Sequence, residues 1–266
     1  MSKVSNARAE LREMDELSAR TSPIHRLHPL AKLLVTLIYL FTVVSYSKYS
    51  FSALSVMLLY PVLIFQISGI PIRLCFHKLR IMLVLVCAVG ILNPFFDRTP
   101  MLTIGSLTVT GGVVSMATLM LKGVFALMAS FLLIATTSID RLCAALRQLH
   151  VPGMLVTLLL LTYRYVSVML RQVSVMTDAY ALRAPGQKGI HISAWGSFLG
   201  QLLLRSMDRG SELYQSMELR GFCGEFHYAG GTGYRAGDLC YTLGWAAFFL
   251  AARLVDLPLL LGNLFV

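Results

Sequence analysis

Asp178-Ala179-Tyr180-Ala181-Leu182-Arg183-Ala184-Pro185-Gly186 and Met217-Glu218-Leu219-Arg220-Gly221-Phe222 decide how this chain is read. Each closes a long helical pattern, each carries Leu-Arg followed by a small residue, and each runs into a breaker. Arginine in a last helical turn complements the macrodipole, worth about 0.3–1 kcal/mol, and Pro-Gly or Gly is an ordinary stop signal. One such ending needs no further explanation. Two endings of the form Leu-Arg-small within one basic segment, residues 138–237, point to a docking surface. An Arg carried at a helix end makes bidentate, charge-assisted hydrogen bonds to carboxylates, and a small residue after it lets a partner's surface approach.

Outward from these stretches the chain is strongly apolar. Of its 266 residues 56% are hydrophobic and only 14% charged, and the mean hydropathy is +0.70. A soluble domain carries about 25% charged residues, so the expected class is an all-α membrane protein. The net charge of +10 fits positive cytoplasmic loops and anionic lipid rather than nucleic acid. Residues 1–29 mix both charges and lack a signal-peptide pattern, so they read as a cytoplasmic N-terminal segment.

Five apolar runs follow: 30–45, 51–70, 81–96, 113–136 and 239–262. The second is read as ending at Pro71, before a loop at 71–80 holding Arg73, Lys78 and Arg80. The third is read as stopping at Asn93-Pro94, and 97–112 as a loop with turns at Thr99-Pro100 and Gly111-Gly112. Lysine and arginine concentrate in 1–29, 71–80 and 138–237, which places the N-terminus inside and gives about five transmembrane spans. The regions expected are thus 1–29, a four-helix transmembrane region 30–136, cytoplasmic coupling helices 137–237 and a last span 238–266.

Three cytoplasmic-side helices are expected between the fourth and fifth spans. The first follows Thr137-Ser138-Ile139-Asp140 and ends at Val151-Pro152. The second starts at Gly153 and runs to Arg183, with Arg164, Arg171 and Asp178 on one stripe at spacings of seven. Its start is apolar enough to be mistaken for a span, and its length suits a helix lying obliquely at the interface. The third, about 193–220, carries Arg205, Arg209 and Glu212 on its polar face.

Inside the spans, Lys122 and Asp256 are expected at similar depth and could pair between helices. The alternative pairs Asp256 with Arg253 and turns Lys122 toward a polar cavity. His25 and His28 lack a third ligand, so no metal site is expected, and the five cysteines read as unpaired. No G-x-x-x-x-G-K-[ST], H-E-x-x-H or nucleophile elbow occurs, so neither catalytic residues nor a cofactor are expected.

The pattern resembles the transmembrane T component of energy-coupling factor transporters, the family of EcfT and the cobalt-type CbiQ. The resemblance runs over nearly the whole chain. It is carried by Ser22-Pro23-Ile24-His25, His28-Pro29-Leu30-Ala31-Lys32, Leu146 through Val151-Pro152, Tyr163-Arg164-Tyr165 and Arg205 to Arg220-Gly221-Phe222. In that family two coupling helices end in Ala-Arg-Gly-like triplets that fit grooves on two cytoplasmic ABC ATPase subunits. The resemblance implies those roles for Leu182, Arg183, Ala184 and for Leu219, Arg220, Gly221, although Leu stands for Ala in both and Ala184 for Gly in the first. It also implies a small substrate-binding membrane S component as partner. Cobalt, nickel or a vitamin would be the cargo, with the cobalt-type likeness favouring a metal ion. The rival reading is a self-contained secondary transporter or channel using Lys122 and Asp256. The absence of an inverted repeat and the long insertion count against it.

Overall fold

A computed structural model describes residues 3–47, 51–96, 100–104, 107–187, 189–224 and 233–254. The protein is an all-α membrane protein. Its helices are α1 (Lys3–Ser18), α2 (Pro23–Arg26), α3 (Pro29–Ser45), α4 (Phe51–Val56), α5 (Leu59–Ser68), α6 (Ile72–Lys78) and α7 (Arg80–Phe96). After them come the strands β1 (Pro100–Ile104) and β2 (Leu107–Thr110). The chain continues in α8 (Gly111–Thr136), α9 (Ile139–Gln148), α10 (Gly153–Arg183), α11 (Ile192–Glu218) and α12 (Ala236–Leu254). It divides into two compact units: one holds residues 1–16 and 139–231, the other 17–138 and 232–266.

In the larger unit, α3, α5 and α12 build an aromatic core. Tyr39 and Tyr60 lie 4.7 Å apart between ring centroids, and Trp245 meets Tyr60 edge-on at 4.8 Å. The entry to α3 is fixed by polar groups. His28 caps it, accepting from the Leu30 amide at 3.2 Å, while the His28 amide donates to the buried Asp238 carboxylate at 2.8 Å. Lys32, also buried, donates to the Thr136 carbonyl at 2.8 Å and satisfies an open end of α8. Helices α7 and α8 approach closely because glycines face side chains. A Cβ on Gly123 would stand 2.4 Å from Val86 Cγ1, and one on Gly90 2.8 Å from Met120 Cγ.

Six details of this unit differ from the sequence expectations. The run 51–70 is two helices, broken at Met57-Leu58. Pro61 has no amide to offer the Met57 carbonyl one turn back, and that carbonyl instead accepts from the Tyr39 hydroxyl at 3.1 Å. The second run ends at Gly69, in the left-handed conformation at φ 68°, rather than at Pro71, and 72–78 is helix α6 rather than loop. Helix α7 continues through Asn93-Pro94 to Phe96. The stretch expected as a loop at 97–112 contains an antiparallel hairpin, and Gly111-Gly112 begins α8 instead of making a turn.

Among the described residues, α8 and α10 are each long and apolar enough to cross a membrane. So the helix expected to lie at the interface could span it on length and composition. Helices α3 and the Arg80–Ile91 part of α7 are apolar but shorter; the 17 residues of α3 reach about 26 Å, against a hydrocarbon core of about 30 Å. The last apolar run is described as far as Leu254.

The smaller unit contains α9, α10, α11 and most of α1, which the sequence reading left as a polar segment. Cys143, Val156 and Leu160 form its core, with Ile139, Leu146 and Val151 packed against them. That cluster closes the elbow between α9 and α10. The elbow bonds from His150 to the Arg147 carbonyl and from Val151 to the Leu146 carbonyl make a Schellman ending, with His150 at φ 61° where glycine is usual. Pro152 then takes the N-cap position of α10 at φ −51°, ψ 130°, and its carbonyl accepts from the Leu155 and Val156 amides at 3.0 and 3.3 Å.

Candidate functional site

Helix α10 carries Arg183 as its last residue. Beyond it the Gln187 amide donates to the Ala184 carbonyl at 3.3 Å. With Pro185 second and Gly186 third at φ 90°, this is the pattern of a type II turn. Tyr180 ties the connection down: its hydroxyl donates to Gln187 Oε1 at 3.0 Å and accepts from the His191 amide at 3.3 Å. His191 in turn caps α11. Leu182 is 84% exposed, and Arg183 beside it is exposed as well.

Helix α11 ends at Glu218, so Arg220 sits just past the last helical residue rather than within the last turn. The Gly221 amide donates to the Glu218 carbonyl at 2.9 Å and the Phe222 amide to the Met217 carbonyl at 3.0 Å. This bond pair is the Schellman motif, with Gly221 at φ 81° in its left-handed position and Arg220 as the C-cap. Leu219 is 89% exposed. The two triplets thus share a form: an exposed leucine, an exposed arginine, then the turn that stops the helix. Neither the Arg183 nor the Arg220 guanidinium has an ion-pair or hydrogen-bond partner among the described residues.

The stripe residues of α10 have separate neighbours. Arg164 donates to Asp140 of α9 at 3.0 Å, next to the buried Cys143. Burial, reinforced by Asp140, pushes the Cys143 thiol up. Tyr163, one position earlier, donates to Asp15 of α1. Asp178 accepts from Ser174 at 3.5 Å, and Arg171 is exposed. Arg205, Arg209 and Glu212 of α11 line a cavity of about 300 Å³ together with Asp208. Val168, Met169 and Gln172 of α10 form its other wall. Arg209 and Glu212 pair at 3.1 Å. No residue of α11 is buried, and Leu199, Leu203, Leu204 and Met207 all stand exposed. That is an amphipathic helix with its apolar side uncovered.

In the larger unit, Lys122 reaches the open carbonyl end of α3, donating to Val44 at 3.1 Å and to Tyr46 at 2.5 Å. Arg253 lies 5.2 Å over the Tyr46 ring and bonds the Ser45 carbonyl at 3.4 Å. Asp256, and with it both of its expected pairings, lies outside the described residues. The histidines expected to be non-metal take structural roles: His25 bonds Ser22 at 2.7 Å and the Leu17 carbonyl at 3.2 Å, and His28 caps α3.

Asp15, Tyr180 and Asp208 carry no role in the sequence reading, and Asp140 enters it only within the cap of α9. Only Asp140 and Asp208 lay within reach of simple signals, as residues within an expected cap and beside an expected polar face.

The family model of the cobalt transport protein CbiQ matches residues 20–228. The chain belongs to the CbiQ family. The matched region contains the elbow, both long helices and both Leu-Arg-small endings. The chain is also similar to the nickel permease LarQ of Lactiplantibacillus plantarum, 33% identical over 100 residues, which are 38% of this chain and 36% of LarQ. The match therefore spans about a third of either protein. CbiQ is a family of transport proteins, and the apolar helices place this member in a membrane.

Proposed function

We propose that this protein is the non-catalytic coupling subunit, the T component, of an ATP-driven importer for cobalt or nickel ion. Two cytoplasmic ATPases grip Leu182-Arg183-Ala184 and Leu219-Arg220-Gly221. Their closing and opening changes the posture of α10 and α11, and the uncovered apolar side of those helices moves a small substrate-binding membrane subunit. The N-terminus and residues 138–237 lie on the cytoplasmic side. Residues 1–29, 30–136, 137–237 and 238–266 serve as entry segment, transmembrane region, coupling helices and last span.

The observation that carries this reading is the pair of exposed, unpartnered arginines, each flanked by an almost fully exposed leucine at a helix end. An exposed apolar side chain beside an unsatisfied guanidinium suits a groove with an apolar floor and an acidic wall. Such contacts differ between the two states of a moving partner, which force transmission requires. The CbiQ match and the likeness to a nickel permease support a transition-metal ion as cargo.

The test reverses charge at each end. Truncating one partner of a buried charge pair costs about 2–5 kcal/mol, so Arg183→Glu or Arg220→Glu should weaken ATPase co-purification at least tenfold, and both together should abolish metal-ion uptake. Wild-type recovery of the ATPases with the doubly changed protein would overturn the proposal.

A further inference from the structure

Helix α6 leaves the preceding segment at a bend of 111° between Ala53–Ser68 and Ile72–Lys78. A helix turned so far runs crosswise to the segment before it. Its buried residue, Cys75, shows which side faces the protein. Beside Cys75, Ile72 and Phe76 share one exposed stripe at i, i+4, and Arg73 and His77 share the next, opposite Cys75. Arg80, the first residue of α7, is exposed one turn further on. The apolar stripe then continues along α7 through exposed Ile81, Val84 and Leu85. No Asp or Glu occurs between Glu16 and Asp97, so this whole part of the sequence brings no counter-charge of its own.

We propose that α6 and the start of α7 form a binding site for anionic phospholipid headgroups. Arg73 and Arg80, with His77 between them, hold the phosphate. Ile72 and Phe76 enter the boundary between headgroups and acyl chains. A partner protein's acidic surface would satisfy the guanidinium groups but not an apolar stripe continuous with the lipid-facing side of α7. Lipid satisfies both. The inference is independent of the coupling role.

The full chain, purified in neutral detergent, is titrated with phosphatidylglycerol or phosphatidylcholine, and bound lipid is counted by native mass spectrometry. A basic side chain near an anionic surface is worth about fivefold in affinity, so Arg73→Gln/Arg80→Gln should lower phosphatidylglycerol binding about twenty-five-fold at low salt. Phosphatidylcholine binding should stay put. Both altered side chains are exposed, so folding is kept. A control that removes the same charge from α1, Arg8→Gln/Arg12→Gln, should keep the wild-type preference. In molar salt, where screening acts within about 3 Å, the wild-type preference should collapse. Equal loss in the control, or an unchanged preference in Arg73→Gln/Arg80→Gln, overturns the site. So does loss of a co-purifying protein from that variant with its lipid preference intact.

Discussion

Asp140→Arg asks whether α10 is held at its near end. The Asp140–Arg164 pair is exposed, with side chains 59% and 61% accessible, and an exposed pair contributes only about 0.2–1 kcal/mol. Reversing it therefore leaves the fold standing. Its leverage is geometric: from Arg164 to Arg183 the helix is an uninterrupted arm of about 28 Å. A slackening of about 10° at the elbow would swing the Arg183 end by about 5 Å, so a stroke applied there would be taken up by rotation at the elbow instead of being passed along the helix. Tyr163, which bonds Asp15, adds a second tie at the same level. The assay is reconstitution with the ATPases and the substrate-binding subunit, reading co-purification, ATP hydrolysis and metal-ion uptake side by side. Asp140→Arg should keep docking and hydrolysis, because both arginine endings are untouched, while uptake per ATP falls several-fold. The exchange Asp140→Arg/Arg164→Asp should restore it, which a purely structural defect would not do. An unchanged ratio in the single variant, or no recovery in the exchange, would refute the reasoning.

Three further outcomes follow from the same geometry. Gly221→Ala meets open space, so its cost is the left-handed backbone alone, about 1–2 kcal/mol; it should loosen the end of α11 and weaken ATPase co-purification, while Gly210→Ala inside that helix should not. Lys122→Met removes the donor from the exposed Val44 carbonyl and strands the part-buried Tyr46 carbonyl, the latter at about 1–3 kcal/mol, and should lower the thermal midpoint in detergent; an unchanged midpoint would contradict it. Cys143 is fully buried and its thiol is pushed up, so less of it is thiolate at any given pH than in an ordinary cysteine. A maleimide should label exposed Cys223 within minutes and Cys143 only after denaturation.

What could be read from the sequence was whatever composition and breakers carry. The run 30–45 became α3, Val151-Pro152-Gly153 marked the start of α10, and the two long helices ended beside their arginines. The hairpin at 100–110 had a signal that went unread, Thr and β-branched residues alternating around Gly105-Ser106. The break at Met57-Leu58 had one too, in Pro61, but a proline shows only that a carbonyl is freed and not that Tyr39 would take it. Contacts between distant positions left no trace at all. Nothing local in Asp15 points to Tyr163, and nothing in Lys122 points to the end of α3 rather than to an acidic side chain.

The unequal stops of α10 and α11 have a consequence for force. Beyond Arg220 the chain is held by two backbone bonds around Gly221, whereas beyond Arg183 it is held by the Gln187–Ala184 backbone bond and by the side chain of Tyr180. The α10 ending stands or slackens with one phenol ring, while the α11 ending needs no side chain to keep its shape. Under the proposed coupling role the two levers would be separately adjustable: a change at Tyr180 would soften one and leave the other as it is.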